Sequence, residues 1–205
     1  MVCNFSGEKN PRTTEISEAV KKENALLNKA IIFAAEHHAG AVRKISTRPY
    51  ILHPLETMQI LFSMNADMVL MTAGVLHDTV EDTDATIEEI IDLFGEEIGA
   101  LVNAHSEDKS LTWSERKQHA IDELIDAPMN LKMLVMADKV SNLRSIASNC
   151  KTMGDKLWDS FNAPKDRQAW YYSSILNALH DLQNHPETEA VYREMVQLYN
   201  DIFVL

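Results

Sequence analysis

The sequence predicts an all-α, single-domain protein of about nine or ten helices, with boundaries good to roughly two to four residues. Three observations lead to this fold class. Glycine and proline, which interrupt regular structure, number only six each among 205 residues. Apolar residues recur at steps of three and four, which is the period of an amphipathic helix. Helix start signals also recur, and a hydrophobic fraction of 45% in a chain of this length suffices for one core.

The first two predicted helices flank a polar loop. The first covers residues 23–38, and Gly40 follows at a point where helices often stop. Its predicted buried face consists of Leu26, Leu27, Ala30, Ile31 and Ala34. Residues 43–53 form the loop, and Pro54 suits the first position of the second helix, because the N–H that proline lacks would have no partner there. His53 therefore lies at the mouth of a helix.

The third predicted helix is apolar almost all round, and we expect it at the centre of the core. It starts at Asp67, a candidate N-cap, and continues to about Val80. Its C-terminal end carries four ionisable side chains, which are His77, Asp78, Glu81 and Asp82. Since residues four apart are neighbours on a helix, these side chains would share one edge if the helix continues that far.

The remaining helices are predicted from capping boxes and prolines. Residues 86–89 and 112–115 both read Thr-x-x-Glu, a pattern in which side chains satisfy free amides at a helix start. Pro128 opens a long helix to about Ser148. Pro164 and Pro186 begin the last two. No internal repeat or linker divides the chain, so residues 1–20 are interpreted as an N-terminal arm with freedom to flex and residues 21–205 as one domain.

Charge and cysteine content restrict the class of protein. With 31 acidic against 19 basic side chains, the net charge of -12 speaks against a general nucleic-acid surface. No run of about 18 apolar residues occurs, which argues against export and against membrane spanning. Only Cys3 and Cys150 are present, so no disulfide framework is expected. These features predict a soluble, cytoplasmic protein.

A metal-activated hydrolytic site is the functional hypothesis that the residues support. Four side chains, His53, His77, Asp78 and Asp138, would supply two nitrogen and two oxygen donors to divalent Mn, Fe or Zn. A His-Asp dipeptide alone is more often a buried ion pair or a solvated helix end. Here, however, four ionisable groups crowd the end of an apolar helix, and a cation is a natural way to stabilise them.

Two further groups of residues suggest how such a site would work. Glu81 or Asp82 could accept a proton from the attacking water, and the residues alone do not decide which. Arg43, Lys44 and Arg48 form a local positive cluster before His53, which suits a small phosphorylated ligand, although each is individually more often a solvated loop charge. Six other histidines show no partner pattern and are interpreted as helix surface or satisfied core residues: His37, His38, His105, His119, His180 and His185.

Several segments, taken in order, carry a family resemblance. They are Ala35 to Gly40, Arg43-Lys44, Pro49-Tyr50-Ile51-Leu52-His53-Pro54, His77 to Thr83, and Ala137 to Arg144. This series resembles the HD-superfamily hydrolases that degrade the alarmone ppGpp, in particular the small stand-alone versions of the Rel/SpoT hydrolase domain. The chain departs from many relatives at Ala41 and at residues 45–48, which makes base recognition the least certain inference from the resemblance.

The resemblance implies a single HD-type helical bundle with one Mn(II), for which the ligands would be His53, His77, Asp78 and Asp138. Glu81 and Asp82 match the pair that activates the attacking water. The implied reaction removes the 3′-pyrophosphate from guanosine 3′,5′-bis(diphosphate), or from its 5′-triphosphate form, leaving GDP or GTP. The implied substrate contacts are Arg43, Lys44, Asn142 and Tyr171. For Tyr171, packing against the core is the alternative.

Two rival functions remain open at this stage. The same metal site could act on another nucleotide, such as a nucleoside monophosphate, a cyclic nucleotide or NADPH, because shared ligands fix the type of reaction while loops choose the substrate. A helical regulatory module without turnover is the alternative from a different class. The presence of all six predicted metal and acid-base residues speaks against that alternative.

Overall fold

The computed structural model describes residues 17–204, which fold into ten α-helices and two 3-10 segments. The helices are α1 (Glu18–His37), α2 (Leu52–Ser63), α3 (Met68–Leu76), α4 (Thr79–Asp82), α5 (Ile87–Phe94), α6 (Glu96–His105), α7 (Trp113–Ile125), α8 (Met129–Met153), α9 (Lys165–Ala178) and α10 (Glu189–Phe203). The 3-10 segments are Gly154–Ser160 and His180–Asn184. No strand forms within residues 17–204, where one isolated bridge pairs Val42 with Pro49. The all-α prediction is confirmed.

Helix α3 lies at the centre of the core, as the sequence predicts. Every residue from Leu70 to Leu76 is buried, and helices α1, α2, α6 and α8 pack around it. Asp67 is its N-cap, with a side chain that accepts a hydrogen bond of 2.8 Å from the amide of Leu70. The long helix α8 packs against both α2 and α10.

Several helix boundaries differ from the predicted ones. Helix α1 begins earlier, because Ser17 caps it and accepts from the amide of Val20. Helix α3 ends at Leu76, so the predicted continuation to Val80 is wrong. Helix α8 extends to Met153, and α10 begins three residues after Pro186. All the differences lie at helix ends, where local side-chain bonds decide the last turn.

The described residues include part of the predicted N-terminal arm and one of the two cysteines. Within the predicted arm, residues 18–20 belong to α1, whereas residues 1–16 lie outside the described part of the chain, together with Cys3. Cys150 is a free, half-buried thiol in α8. None of the helices described over residues 17–204 combines the length and apolar character needed to cross a bilayer.

Candidate metal centre

The four predicted ligand side chains come from three parts of the fold and meet at one point. His53 is the second residue of α2, His77 and Asp78 follow the last residue of α3, and Asp138 lies in the middle of α8. The Nε2 atom of His53 is 3.3 Å from Nε2 of His77 and 3.4 Å from Oδ2 of Asp78. The Oδ1 atom of Asp138 is 3.2 Å from Nε2 of His53. Converging imidazole nitrogens and carboxylate oxygens form a donor set that suits a divalent metal ion.

The end of helix α3 orients His77 toward this point. The carbonyl oxygen of Leu76 accepts from the Thr79 hydroxyl at 2.7 Å, and the carbonyl oxygen of Gly74 lies 2.8 Å from Nδ1 of His77. In a further helical turn these two carbonyls would accept from backbone N–H groups. Here they bond to side chains instead, and the helix ends. Because a carbonyl only accepts, Nδ1 of His77 carries a hydrogen, and in the neutral ring the Nε2 lone pair faces the site.

Close packing between α2 and α3 brings the two histidines together. Gly74 lies against α2, where a Cβ atom would come within 2.5 Å of the Leu61 Cδ1 atom. The absence of a side chain at Gly74 therefore allows the helices to approach one turn before His77. This approach places the His77 ring 5.1 Å from the His53 ring, measured between centroids.

Opposite charges stabilise these buried groups. Burial lowers the pKa of His77, but the carboxylates of Asp78 and Asp138 and the carbonyl of Gly74 together outweigh burial, and the pKa rises to about 9. Burial raises the pKa of Asp78, but the charge of the neighbouring His77 holds it well below its ordinary value. Burial likewise opposes ionisation of Asp138, yet the Lys139 ammonium keeps its pKa well below the ordinary range. The site therefore holds carboxylates that need positive charge beside them, which a bound cation would supply.

Asp138 is held from three directions. The Lys139 ammonium lies 2.6 Å from Oδ2, and the Asn142 side-chain amide donates to Oδ1 at 2.5 Å. His105, the last residue of α6, places Nε2 3.3 Å from Oδ2. The other ring nitrogen of His105 is buried and finds no hydrogen-bond partner among the described residues. His105 is thus part of the site rather than a surface or satisfied core residue, and the sequence interpretation of it was wrong.

Tyr50 connects the predicted ligand Asp78 to Asp82 of the predicted acid-base pair. Its hydroxyl lies 2.7 Å from Oδ2 of Asp78 and 2.9 Å from Oδ2 of Asp82. A phenol has one hydrogen, so it donates fully to only one of these carboxylates at a time. The Lys109 ammonium donates to the Glu81 carbonyl and lies 3.5 Å from Oδ1 of Asp82. Helix α4 is thereby fixed beside the four ligand side chains even though α3 has ended.

Glu81 is a half-buried carboxyl of this region with a raised pKa. Burial, followed by the negative charges of Asp78 and Glu107, raises its pKa to about 6. A carboxyl with such a pKa exchanges its proton readily near neutral pH.

The predicted substrate-binding residues surround the same site, although they differ in exposure. Arg43 donates to the Asn142 side-chain oxygen at 2.7 Å, and its guanidinium lies 5.6 Å from the centroid of the Tyr50 ring. Lys44 donates to the side chain of Asn162 at 2.9 Å. Tyr171 is buried, with the ammonium of Lys139 5.7 Å from its ring centroid. Asn142 thus contacts the predicted ligand Asp138 directly, Arg43 lies next to Asn142 and Tyr50, and Tyr171 lies next to Lys139.

Cavities beside the four side chains offer space to a ligand. A small polar cavity of about 170 Å³ contains the site, and its lining includes Asp78, Glu81, Asp138 and Asn142. A second cavity of about 310 Å³ shares Asn142 with it and is lined by Arg43, Lys44 and Tyr172. The first is large enough for a phosphate group and the second for a larger part of a nucleotide.

Comparisons with known proteins agree with this arrangement. The sequence profile of the HD domain matches residues 30–157. The curated relatives include the GTP pyrophosphokinase rsh of Brucella suis, which is 35% identical over 151 residues; these residues make up 68% of this chain and 20% of that protein. The chain thus spans a small part of the long relatives. It is also 37% identical over 135 residues to the mouse guanosine-3′,5′-bis(diphosphate) 3′-pyrophosphohydrolase MESH1, with 64% of this chain and 75% of that protein covered.

Solved structures show the same similarity. A metazoan SpoT ortholog, described as hydrolysing ppGpp, superposes with a TM-score of 0.74 at 25% identity and covers 88% of this chain and 97% of its own. The protein lmo0812 from Listeria monocytogenes superposes with a TM-score of 0.69 at 36% identity and covers 74% and 98%, respectively. The resemblance that the sequence motifs suggest is confirmed by these matches, and the chain belongs to the HD domain family.

Proposed function

We propose that this protein is a metal-dependent hydrolase that removes the 3′-pyrophosphate from guanosine 3′,5′-bis(diphosphate) or its 5′-triphosphate form, with Mn(II) as the working ion. The observation that carries the proposal is the convergence of His53, His77, Asp78 and Asp138 beside a polar cavity that Glu81 and Asp82 also line. Two relatives that this chain matches over most of their length are named as guanosine-3′,5′-bis(diphosphate) 3′-pyrophosphohydrolases, which supports the choice of substrate.

The donor set fits a divalent ion, and His53, His77, Asp78 and Asp138 would hold it. When bound, such an ion acts as a Lewis acid that activates water and offsets charge on phosphoryl oxygens. The buried ligands keep their geometry because each is fixed from behind, as with the Gly74 carbonyl against His77. Iron and zinc suit the same donors, so the preference for manganese rests on the family resemblance.

Glu81 is the group we assign to proton transfer. Its pKa of about 6 leaves it mostly ionised at neutral pH, so it can take a proton from the attacking water. The same carboxyl, once protonated, is acidic enough to deliver that proton to the departing 3′ oxygen. Asp82 accepts from Tyr50 and faces Lys109, and we assign it to orienting the water.

Basic side chains beside the site would bind the nucleotide. Arg43 and Lys44 line the larger cavity, where a guanidinium and an ammonium suit phosphate oxygens. Asn142 lies where the two cavities meet and offers an amide to the ribose or base. Tyr171 is buried beneath Lys139 and Lys117, so we assign it to supporting these cations.

Product identification tests the proposal. Purified protein with added Mn(II) and guanosine tetraphosphate should yield GDP and pyrophosphate, and replacement of Asp78 by Ala should abolish turnover while preserving the helical circular-dichroism signal. Survival of guanosine tetraphosphate, together with phosphate release from a nucleoside monophosphate or NADPH, would assign the site to another nucleotide. Equal turnover by the Asp78→Ala protein would contradict the assigned site altogether.

A further inference from the structure

The far side of the His53 ring contacts a chain of polar side chains that the reaction itself does not use. Nδ1 of His53 lies 2.8 Å from the hydroxyl oxygen of Ser141, a residue of α8 that is 1% exposed. The same hydroxyl lies 2.8 Å from Oε2 of Glu56, one helical turn after His53 on α2. The three groups therefore form a continuous hydrogen-bonded relay that leads away from the metal centre.

The chemistry of Glu56 fixes the direction of every hydrogen bond in this relay. A carboxylate only accepts, so the single hydrogen of the Ser141 hydroxyl points to Glu56. The hydroxyl oxygen must then accept from Nδ1–H of His53. A neutral imidazole with its hydrogen on Nδ1 presents a lone pair on Nε2, which is the atom that faces the other ligands.

The two histidine ligands differ in how this orientation is enforced. Behind His77 stands the carbonyl of Gly74, which has no hydrogen to donate under any circumstances. Behind His53 stands a hydroxyl, which could equally well donate to Nδ1 and so draw the ring hydrogen to Nε2. Ser141 alone therefore does not decide which ring nitrogen of His53 carries the hydrogen, and Glu56 decides it by accepting the hydroxyl hydrogen.

Arg144 holds Glu56 in the required orientation. Its Nη1 atom donates to Oε1 of Glu56 at 3.0 Å, which leaves Oε2 for Ser141. The guanidinium is itself fixed by Glu194 of α10, to which Nε and Nη2 donate at 2.7 and 2.9 Å. A paired, two-point contact of this kind sets the plane of the guanidinium as well as its position.

We propose that Glu56 is a positioning residue for the metal centre, which acts through Ser141 to keep the Nε2 lone pair of His53 free for the ion. The inference rests on the proposed metal role of His53 and extends it to a residue outside the site. Arg144 contributes by fixing which oxygen of Glu56 faces Ser141.

The substitution Glu56→Gln gives a specific expectation. Arg144 only donates, so it would hold the amide oxygen of the new side chain and turn the NH2 group toward Ser141. The Ser141 hydroxyl would then accept from that group, and its own hydrogen would compete for Nδ1 of His53. We expect Mn(II) affinity, measured from the free-ion electron paramagnetic resonance signal, to fall by about 10- to 100-fold.

A second substitution separates this relay from a simple loss of negative charge. Ser141→Ala should weaken Mn(II) binding less than Glu56→Gln does, because it removes a partner without offering a competing hydrogen. In the double variant Glu56→Gln/Ser141→Ala, the competing hydrogen is gone, so affinity should recover toward that of Ser141→Ala alone. A mere charge effect would give no recovery. The matched control is Glu189→Gln, an exposed carboxylate of α10 paired with Arg193, which should leave affinity unchanged.

The outcomes distinguish this inference from the proposed reaction. If the natural protein binds Mn(II) and Glu56→Gln binds it equally well, or if the double variant binds no more tightly than Glu56→Gln, the relay is overturned while the metal centre stands. If the affinities follow the expected order but guanosine tetraphosphate is not cleaved, the relay stands and the substrate assignment fails. Thermal unfolding followed by circular dichroism establishes that each variant is folded.

Discussion

Replacing Glu81 by Gln should stabilise the metal-free protein at neutral pH while it removes activity. Burial and the charges of Asp78 and Glu107 raise the pKa of Glu81 from 4.5 to about 6. The folded protein therefore binds a proton at Glu81 more tightly than the unfolded chain does, and ionisation of this group opposes folding. As the pH rises from 4.5 to 6, the free energy of unfolding should fall by about 2 kcal/mol, at about 1.4 kcal/mol per pH unit.

Glutamine lacks this ionisation, so the difference between the two proteins should depend on pH. Below pH 4.5, where Glu81 is protonated in both states, the free energies of unfolding should be similar. Above pH 6, the Glu81→Gln protein should be more stable by about 2 kcal/mol. Urea unfolding in the presence of EDTA at pH 4 and pH 7.5 measures both values, and Glu23→Gln, an exposed change on α1, is the control that should show no such difference.

The same substitution should lower the rate of hydrolysis by about 100- to 10,000-fold, which is the usual contribution of a positioned acid-base group. Gain of stability with loss of activity is typical of a residue kept for its chemistry rather than for the fold. An identical stability difference at pH 4 and pH 7.5 would refute the electrostatic argument. A wild-type rate in the Glu81→Gln protein would refute the assignment of proton transfer to this residue.

Three further predictions concern the surroundings of the site. Tyr50→Phe removes the hydroxyl between Asp78 and Asp82, so kcat should fall by about 10- to 150-fold, the equivalent of one charged hydrogen bond of about 1.5–3 kcal/mol, with little change in KM. His105→Leu removes a partner of Asp138 together with a buried, unpaired ring nitrogen, so Mn(II) affinity measured by titration should fall about 10-fold while the melting temperature stays constant or rises. Mn(II) at about 100 times its Kd should stabilise the natural protein by about 2.7 kcal/mol in urea unfolding, and chelation should reverse this gain; a folded protein indifferent to Mn(II) would contradict the metal centre.

Most of the fold could be predicted because its signals are local. Asp67 caps α3, Thr112 and Glu115 complete a reciprocal capping box at α7, and Pro128 directly precedes α8. In each case the residues that decide the helix start lie within four positions of one another. The end of α3 was not predictable in this way, because the hydroxyl of Thr79 competes with the backbone for the Leu76 carbonyl, and sequence pattern alone does not show which of them wins.

The residues around the predicted ligands were harder to recognise than the candidate ligands themselves. His105 lies 33 positions before Asp138 in the sequence, and no motif joins them. A signal was nevertheless present, because Ile98, Leu101, Val102 and His105 follow the spacing of one helical face, and the first three are buried. A histidine that continues an apolar stripe into the core requires a polar partner there, and the structure shows Asp138 in that place.

Glu56 illustrates why partners of this kind are difficult to recognise from a single sequence. Metal coordination restricts a ligand to a few residue types, whereas the group behind a ligand needs only a donor or an acceptor. In this protein a backbone carbonyl orients His77 and a serine hydroxyl orients His53. The carbonyl belongs to every residue type and cannot be lost by a side-chain substitution, but the hydroxyl works in one direction only while Glu56 accepts its hydrogen. Of the two histidines proposed as ligands, we therefore expect His53 to be the one whose contribution to metal binding depends on a side chain outside the site.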